Sequence, residues 1–377
     1  METLTSRHSP QVTPGSAAQG GASTSPAPAP PHPTKTTPRQ HASHSRRAFA
    51  LTCVILVVAV IASLALGAQT LSPTQVWTAL TTPSGTQADV IVRDLRLPRT
   101  LLGVLVGAIL GVAGVLAQSL TRNPLADPGI LGVSAGAAFF IVVGTATGSI
   151  IGLPDGPLTT VALAFAGALA ATALVFGATA VADRRRHTGA STATLPVIGV
   201  ATSAALSAIT SAVSLLNASS LDAYRFWAVG SLAGRPSDLW LALTPFALIG
   251  LALAALAGRG LDAVALGEDL AAGLGVDVRR LRALTIIAIA LLTGTAVAAC
   301  GPLAFVGLLV AHTGKALVGP RHIRLIPLAL PLGAATVLLA DITGRLVGGG
   351  AELATGVVLG LIGGPLFVTL IARRNPR

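Results

Sequence analysis

Ten long apolar runs dominate this sequence and restrict the folds that it can adopt. Each run is close to the ~20 residues that an α-helix needs to cross the hydrocarbon core of a bilayer. A chain of 377 residues that is 52% hydrophobic and 10% charged cannot bury so much apolar surface in one water-soluble core. We therefore predict an all-α polytopic membrane protein with spans at 48–67, 99–118, 129–147, 158–181, 194–215, 238–257, 283–300, 302–318, 325–346 and 353–372.

The positive charge of the chain fits a membrane protein. Its net charge is +11, but Lys and Arg stand singly or in twos and threes between apolar runs. Nucleic-acid binding would require a continuous basic face, so we exclude that partner. With the N-terminus inside, sixteen Lys and Arg from Arg46 onwards fall in cytoplasmic segments and six in external ones. The positive-inside rule then predicts a multi-pass protein of the cytoplasmic membrane with both termini cytoplasmic.

The N-terminal segment differs from the rest of the chain. Residues 1–45 are rich in Pro, Ser, Thr, Ala and Gln and have no helical or strand periodicity, which predicts a disordered cytoplasmic tail. The pair Arg46-Arg47 before an apolar run is similar to a twin-arginine export signal. That run is long enough to span a bilayer, so we interpret it as an uncleaved first span and assign 46–377 to the transmembrane domain.

Several chemical functions find no support in the residues. Cys53 and Cys300 lie near opposite membrane faces, so we expect them to be unpaired, and neither has the clustered spacing of a metal site. No G-x-x-x-x-G-K-[ST] phosphate loop occurs, so ATP hydrolysis is not expected in this chain. An intramembrane enzyme would need paired His, Asp, Glu or Ser/Lys groups within the spans, and we identify no catalytic residue.

An ion-coupled secondary carrier is the rival transport hypothesis. Such a carrier usually keeps Asp, Glu or His deep inside its spans to bind the coupling ion. Here Asp341 is the only acid well within a predicted span, and His312 lies close to a cytoplasmic end. An internal ion-coupling site therefore has weak support.

Arginines at the predicted external end break the positive-inside pattern. Arg96 and Arg99 lie at the external end of the second span, and Arg345 lies near the end of the ninth, four residues after Asp341. One interpretation is anchoring to lipid headgroups by long side chains, and another is contact with an acidic partner. The four-residue spacing also predicts an ion pair between Asp341 and Arg345.

Two cytoplasmic connections carry helix-start signals. Asp127 can cap the next helix, with Pro128 at its first position. The longer connection, 258–282, predicts two short helices broken at Gly273 and Gly275, with a capping Asp277 before the second. Such helices either lie along the bilayer or dock into a cytosolic partner, and the acidic residues of this segment disfavour anionic lipid.

Two predicted spans carry glycines at four-residue spacing. Such faces allow close approach of helix backbones, within one subunit or across a dimer. The predicted packing residues are Gly103, Gly107, Gly111, Gly356, Gly360 and Gly364.

Ordered motifs between about positions 93 and 373 resemble the FecCD-type permease family, the membrane subunits of importers for iron-siderophores, haem and cobalamin. The matching residues are Arg96-Leu97-Pro98-Arg99, Gln118, Arg122-Asn123-Pro124-Leu125-Ala126-Asp127-Pro128, Leu131-Gly132-Val133-Ser134-Ala135-Gly136-Ala137, Phe226-Trp227, Gly230-Ser231-Leu232, Leu266-Gly267, Leu274-Gly275-Val276, Gly301-Pro302-Leu303-Ala304-Phe305-Val306-Gly307-Leu308, Asp341, Arg345, Glu352-Leu353, Gly356 and Ile362-Gly363-Gly364-Pro365-Leu366-Phe367.

The resemblance implies the permease subunit of an ATP-binding-cassette importer of the type II architecture, with ten helices per subunit. Its implied partners are a second permease subunit, identical or paralogous, a cytosolic ATPase dimer that binds the ATP, and an extracytoplasmic substrate-binding protein. No cofactor is implied for this chain. Arg96, Arg99 and Arg345 would dock the binding protein. The residues implied to couple to the ATPase are Leu266, Gly267, Leu270, Leu274, Gly275 and Val276.

The implied substrate is an iron-siderophore or related metal chelate, and cobalamin or haem is the alternative. The chain departs from the family pattern at two places. Ala311-His312-Thr313-Gly314-Lys315 stands where the family commonly has Pro-His followed by Arg, and Ala354 stands where Pro often follows Glu-Leu. We expect His312 to be structural, since no second metal ligand lies near it in sequence.

Overall fold

The computed structural model describes residues 38–154, 156–185, 194–348 and 352–374, and these residues fold as helices without strands. A π-helical turn at Ile91–Arg96 joins two helices, and a 3₁₀ turn lies at Pro128–Leu131. The α-helices are α1 (Pro38–Ala65), α2 (Pro73–Thr81), α3 (Gln87–Val90), α4 (Leu97–Thr121), α5 (Val133–Ile151), α6 (Pro157–Arg185), α7 (Thr194–Leu216), α8 (Ala218–Ala228), α9 (Leu239–Val264), α10 (Glu268–Gly273), α11 (Val278–Cys300), α12 (Val306–Val318), α13 (His322–Val347) and α14 (Thr355–Arg374).

The helices match the ten predicted spans. Among the described residues, seven helices are long and apolar enough to cross a bilayer, and apolar stretches of α5, α12 and α14 supply three shorter ones. The all-α membrane fold predicted from hydropathy is therefore confirmed. Residues 1–37 of the predicted tail lie outside the described residues, whereas residues 38–45 form the first turns of α1.

Local capping chemistry sets several helix boundaries. The Asp277 side chain accepts a hydrogen bond from the Arg280 amide at 3.0 Å and starts α11, as predicted. The Asp127 side chain accepts one from the Gly129 amide at 2.8 Å, with Pro128 at the first position of the turn. Asp127 therefore caps the 3₁₀ turn that precedes α5 rather than α5 itself.

The centre of the bundle is formed by α4, α11 and α13. In the most apolar windows of α4 and α11, 78% of residues are buried inside the chain, against 17% in α7. Because lipid is as apolar as leucine, exposed apolar side chains on α7 and α1 are compatible with a bilayer as the surrounding solvent. The central helices carry the polar residues at both ends of the bundle, where candidate sites lie.

Glycines allow α4 to approach α13 closely. A Cβ added at Gly107 would collide with the carbonyl group of Gly333 and the Cα of Ala334, and one added at Gly111 would meet the carbonyl of Ala329. Gly103 faces the side chain of Leu338. These three predicted packing residues therefore lie at a helix contact within the subunit.

The glycines of α14 divide into two groups. Gly356 faces the backbone carbonyls of Val229 and Gly230 and packs within the chain. Gly360 and Gly364 have no atom of this chain within 4 Å of an added Cβ, so their faces are open. A contact of these two glycines across a dimer stays a prediction.

We predict that Gly107→Ala destabilises the protein by about 1–3 kcal/mol, because the new methyl group meets backbone atoms that cannot rotate away. Gly360→Ala is the matched control, since the same methyl group enters open space. Thermal unfolding of the purified protein in detergent measures both. Equal melting temperatures for the two variants would contradict the assigned α4–α13 contact.

Candidate functional site

Arg96 and Arg345 bind the C-terminal end of α1. Arg96 Nη1 donates to the carbonyl oxygens of Leu64 and Ala65 at 2.8 Å each, and Arg345 Nη1 donates to the carbonyl of Ser63 at 3.0 Å. The last carbonyls of a helix have no partner inside the helix, and cations are favoured at that end of its dipole. The two arginines therefore cap the first spanning helix from two other segments of the chain.

Asp341 joins two of the arginines. Its Oδ1 lies 2.9 Å from Arg99 Nη2 and accepts a hydrogen bond from Thr355 Oγ1 at 2.9 Å, and its Oδ2 lies 3.2 Å from Arg345 Nε. The predicted Asp341–Arg345 pair is confirmed. Arg99 also donates through Nη1 to Glu352 Oε2 at 2.6 Å. We call Arg96, Arg99, Asp341, Arg345 and Glu352 the arginine cluster.

The arginine cluster borders a cavity of about 450 Å³ at the predicted external end. Three guanidinium groups against two carboxylates give the cluster one net positive charge, and on the cavity wall the cation Arg235 is balanced by the anion Asp94. An anionic group that enters this space meets several cations that are fixed by the fold. The lining residues include Gly67, Gln69, Asp94, Leu95, Leu102, Leu232, Ala233 and Pro236.

The sequence-predicted docking arginines thus lie together, but in a recess rather than on an open surface. Arg96 and Arg345 are 7% and 5% exposed, and the Arg99 side chain is 13% exposed. Lipid anchoring by snorkelling does not describe them, because their donors bind carbonyl and carboxylate oxygens of this chain. Docking of a partner stays a prediction, restricted to groups that can enter the cavity.

The opposite end of the bundle carries a short exposed helix, α10. Gly267 before it and Gly275 after it have φ angles of 122° and 84°, which glycine adopts without a Cβ penalty. Three predicted coupling residues present apolar side chains to the surroundings: Leu266, Leu270 and Leu274 are 69%, 53% and 65% exposed. Clustered exposed leucines beside a membrane domain are suited to an apolar groove on a partner.

The predicted pair of short helices in 258–282 is wrong in part. Helix α9 continues to Val264, and α11 begins at Val278, so only α10 is a separate short helix in this connection. Val276, another predicted coupling residue, is partly buried, and its amide donates to the Ala271 carbonyl at 3.0 Å. The connection therefore contains one separate short helix, and its docking to a partner stays a prediction.

Two polar clusters near α10 were not predicted. Glu268 Oε1 accepts hydrogen bonds from Arg122 Nη2 at 2.6 Å and Arg282 Nη2 at 2.7 Å. Asp262 Oδ1 lies 2.7 Å from both the backbone nitrogen and Nδ1 of His322. Hydropathy and local motifs give no signal for these contacts, because Glu268 and Arg122 lie 146 residues apart in the chain.

Two of the residues that depart from the family pattern, Lys315 and His312, lie on α12. Lys315 Nζ donates to Gln118 Oε1 at 2.7 Å, which links α12 to α4. His312 is exposed on α12. Among the described residues, no group of three or more His, Cys, Asp or Glu is placed to hold a metal ion.

Burial raises the pKa of the Asp127 carboxyl in the connection before α5. Backbone N–H groups of Gly129 and Phe305 donate to it and oppose that rise. Phe305 itself has a φ of 68°, a left-handed conformation that is strained for an aromatic residue. Asp127 therefore joins the 3₁₀ turn to the start of α12.

These features define a class, a polytopic α-helical membrane subunit with a cation-lined recess at one end and an exposed apolar helix at the other. The family model of the FecCD transport family matches residues 55–373, and the chain belongs to this family. It is 41% identical over 323 residues to the ferric enterobactin transport system permease protein FepD of Escherichia coli K12, covering 85% of this chain and 94% of that protein.

Two further comparisons agree. The chain is 36% identical over 335 residues to a siderophore transport system permease protein, YfiZ, of Bacillus subtilis 168, covering 88% of this chain and 98% of that protein. A solved structure of an inward-facing metal-chelate type ABC transporter aligns with a TM-score of 0.74 and 28% identity. That alignment covers 87% of this chain and 99% of the other.

We predict that Asp341→Asn lowers the free energy of unfolding by about 3–5 kcal/mol, because Arg99 and Arg345 then keep buried charge without a full counter-charge. The matched control is Asp222→Asn, since the Asp222–Arg225 pair is largely exposed and its loss has little effect. Chemical unfolding in detergent measures both variants. A wild-type stability for Asp341→Asn would exclude a stabilising role for the arginine cluster.

Proposed function

We propose that this chain is the membrane-spanning permease subunit of an ATP-driven importer that carries a ferric siderophore or related iron chelate into the cytoplasm. The observation that carries this proposal is likeness along most of the chain to a ferric enterobactin permease. Relatives described as siderophore and Fe(3+)-citrate permeases support iron chelates as the substrate class. The separated polar ends of the bundle support a subunit with a different partner on each side of the membrane.

The energy source in this proposal is a cytosolic ATPase dimer. This chain has no phosphate-binding loop of its own. Exposed Leu266, Leu270 and Leu274 on and beside α10 are the proposed contact with the ATPase, and Gly267 and Gly275 set the angle at which α10 meets it. Removal of these leucines from solvent would drive docking, at roughly 25 cal/mol per Å² of apolar surface.

A second permease subunit, identical or paralogous, completes the proposed translocation path. The open faces of Gly360 and Gly364 on α14 are the proposed contact, since small residues let a neighbouring helix approach closely. Exposed Leu361 and Ile362 flank that face. Both chain termini lie in the cytoplasm in this arrangement, as the positive-inside pattern predicts.

We propose that an acidic residue of an external substrate-binding protein binds in the arginine-lined cavity. Arg96, Arg99 and Arg345 supply the fixed positive potential at the base of the cavity. Arg235 lies on its wall, and its Nε donates to the Ser231 carbonyl at 3.2 Å. A carboxylate that enters would exchange water for charge-assisted hydrogen bonds.

We predict that Arg235→Glu weakens binding-protein affinity at least tenfold, since it reverses a charge on the cavity wall without touching the cap of α1. Arg93→Glu is the matched control, because Arg93 is exposed at the same predicted end but does not line the cavity. Affinity is measured on reconstituted transporter at several salt concentrations. Equal affinities for both variants, insensitive to salt, would exclude this docking site.

Uptake by proteoliposomes tests the transport proposal. The permease is reconstituted with its ATPase and binding protein and given ⁵⁵Fe-loaded catecholate, hydroxamate or citrate chelates, with labelled cobalamin and haem in parallel. We expect ATP-dependent accumulation of an iron chelate. Accumulation of cobalamin or haem alone would reassign the substrate, and uptake that needs an ion gradient but no ATP would establish the secondary carrier instead.

A further inference from the structure

Glu268 connects the exposed helix α10 to two membrane spans through one carboxylate oxygen. Its Oε1 accepts from Arg122 Nη2 at 2.6 Å and from Arg282 Nη2 at 2.7 Å. Arg122 is the residue that ends α4, and Arg282 lies in the second turn of α11. A single carboxylate therefore joins the first residue of α10 to the ends of the two most buried helices of the bundle.

The position of Arg122 makes this link specific to α4. Arg122 has a φ of 49°, a left-handed conformation that turns the chain at the end of α4. Helix α10 rests mainly on α9 and α11, and a cavity of about 20 Å³ lies between the ends of these elements, with Glu268 and Arg122 in its lining. The charged pair therefore bridges from α10 to α4 beside this small cavity.

Helix α4 extends from this link to the other end of the bundle. It packs against α13, α11, α12 and α9, and its first turn carries Arg99 of the arginine cluster. If the end of α4 at Arg122 is displaced, the whole of α4 must move against the helices that surround it. Packed helices respond to such a displacement by discrete shifts rather than by continuous deformation.

Stability alone gives a weak reason for this arrangement. The side chains of Arg122, Glu268 and Arg282 are 47%, 35% and 33% exposed. Ion pairs with this much exposure contribute little to folding. A carboxylate held between two guanidinium groups does, however, fix the orientation of α10 relative to α4 and α11.

We propose that Glu268 is a positioning residue that transmits movement between the ATPase-facing helix α10 and the central helix α4. The proposal rests on the ATP-driven function above and assigns one residue to its coupling step. Movement of α10 with the ATPase pulls on Arg122 and Arg282 together. In the reverse direction, a shift of α4 that follows binding-protein docking changes the position of α10 and thereby the rate of ATP hydrolysis.

The test uses the complete transporter, with full-length permease chains, ATPase and binding protein in proteoliposomes. Glu268→Gln removes the charge at nearly constant shape, and Asp269→Asn is the matched control on the exposed neighbouring acid. Leu270→Asp is the reference for lost ATPase docking. Two readouts are recorded for each variant: the ATPase retained on purification, and the stimulation of ATP hydrolysis by the binding protein.

We expect Glu268→Gln to retain the ATPase within twofold of wild type but to lose at least fivefold in stimulation, while Asp269→Asn keeps both. The single reversals Glu268→Arg and Arg122→Glu should lose stimulation as well. The exchange Glu268→Arg/Arg122→Glu re-forms the pair between positions 122 and 268 with its charges reversed, while Arg282 then faces an arginine, and should restore stimulation above the level of either single reversal. Because ATPase retention is recorded for the same variants, loss and recovery of stimulation at constant retention reports coupling rather than folding.

Three outcomes would overturn the proposal. Full stimulation in Glu268→Gln would show that the link transmits nothing. Loss of the ATPase in Glu268→Gln, as in Leu270→Asp, would make Glu268 a docking contact and leave the ATP-driven function intact. If wild-type permease retains no ATPase, both the role of Glu268 and the proposed ATP-driven function are wrong. The first two outcomes, in contrast, contradict only the role of Glu268.

Discussion

The fold depends on a requirement of the bilayer, that every backbone polar group in hydrocarbon finds a partner inside the protein. Within a helix this is automatic, but at a helix end the last carbonyls are left without donors. Here Arg96 and Arg345 supply those donors to α1. At the break between α11 and α12, a backbone group supplies the donor instead. The Ser231 amide donates to the carbonyl of Cys300, the last residue of α11, at 2.8 Å.

Charge burial follows from that requirement. Two arginines that enter the bundle to cap α1 bring positive charge with them, and Asp341, which is 1% exposed, offsets part of it. Because the carboxylates offset only part of the arginine charge, the adjoining cavity keeps a net positive charge. One arrangement therefore serves both the folding of α1 and, in the proposed function, the recognition of an acidic partner.

Helix α4 links the two ends of the molecule. Its first turn carries Arg99 in the arginine cluster, and the residue that ends it, Arg122, binds Glu268 beside α10. Its glycines allow backbone contact with α13, so the helix is closely held along its length. In the proposed function, this central helix with charged contacts at both ends is the element through which events on opposite sides of the membrane are coupled.

The sequence by itself determined the number and position of the spans and the start of α11, because hydropathy and capping are local properties of the chain. Asp277, for example, caps α11 through an amide only three residues away. The Asp341–Arg345 pair was predictable for the same reason, since its partners lie four residues apart on one helix.

Only the tertiary structure decided which long-range partners each polar residue meets. Arg345 binds Ser63 across 282 residues of sequence, and Arg99 binds Asp341 across 242. Glu268 was visible in the sequence only as an acid that disfavours anionic lipid, and its two arginines come from different helices. Local patterns specify which residues share a helix face. The relative placement of the helices follows from the packing of the whole bundle, and this placement determines which polar residues come into contact.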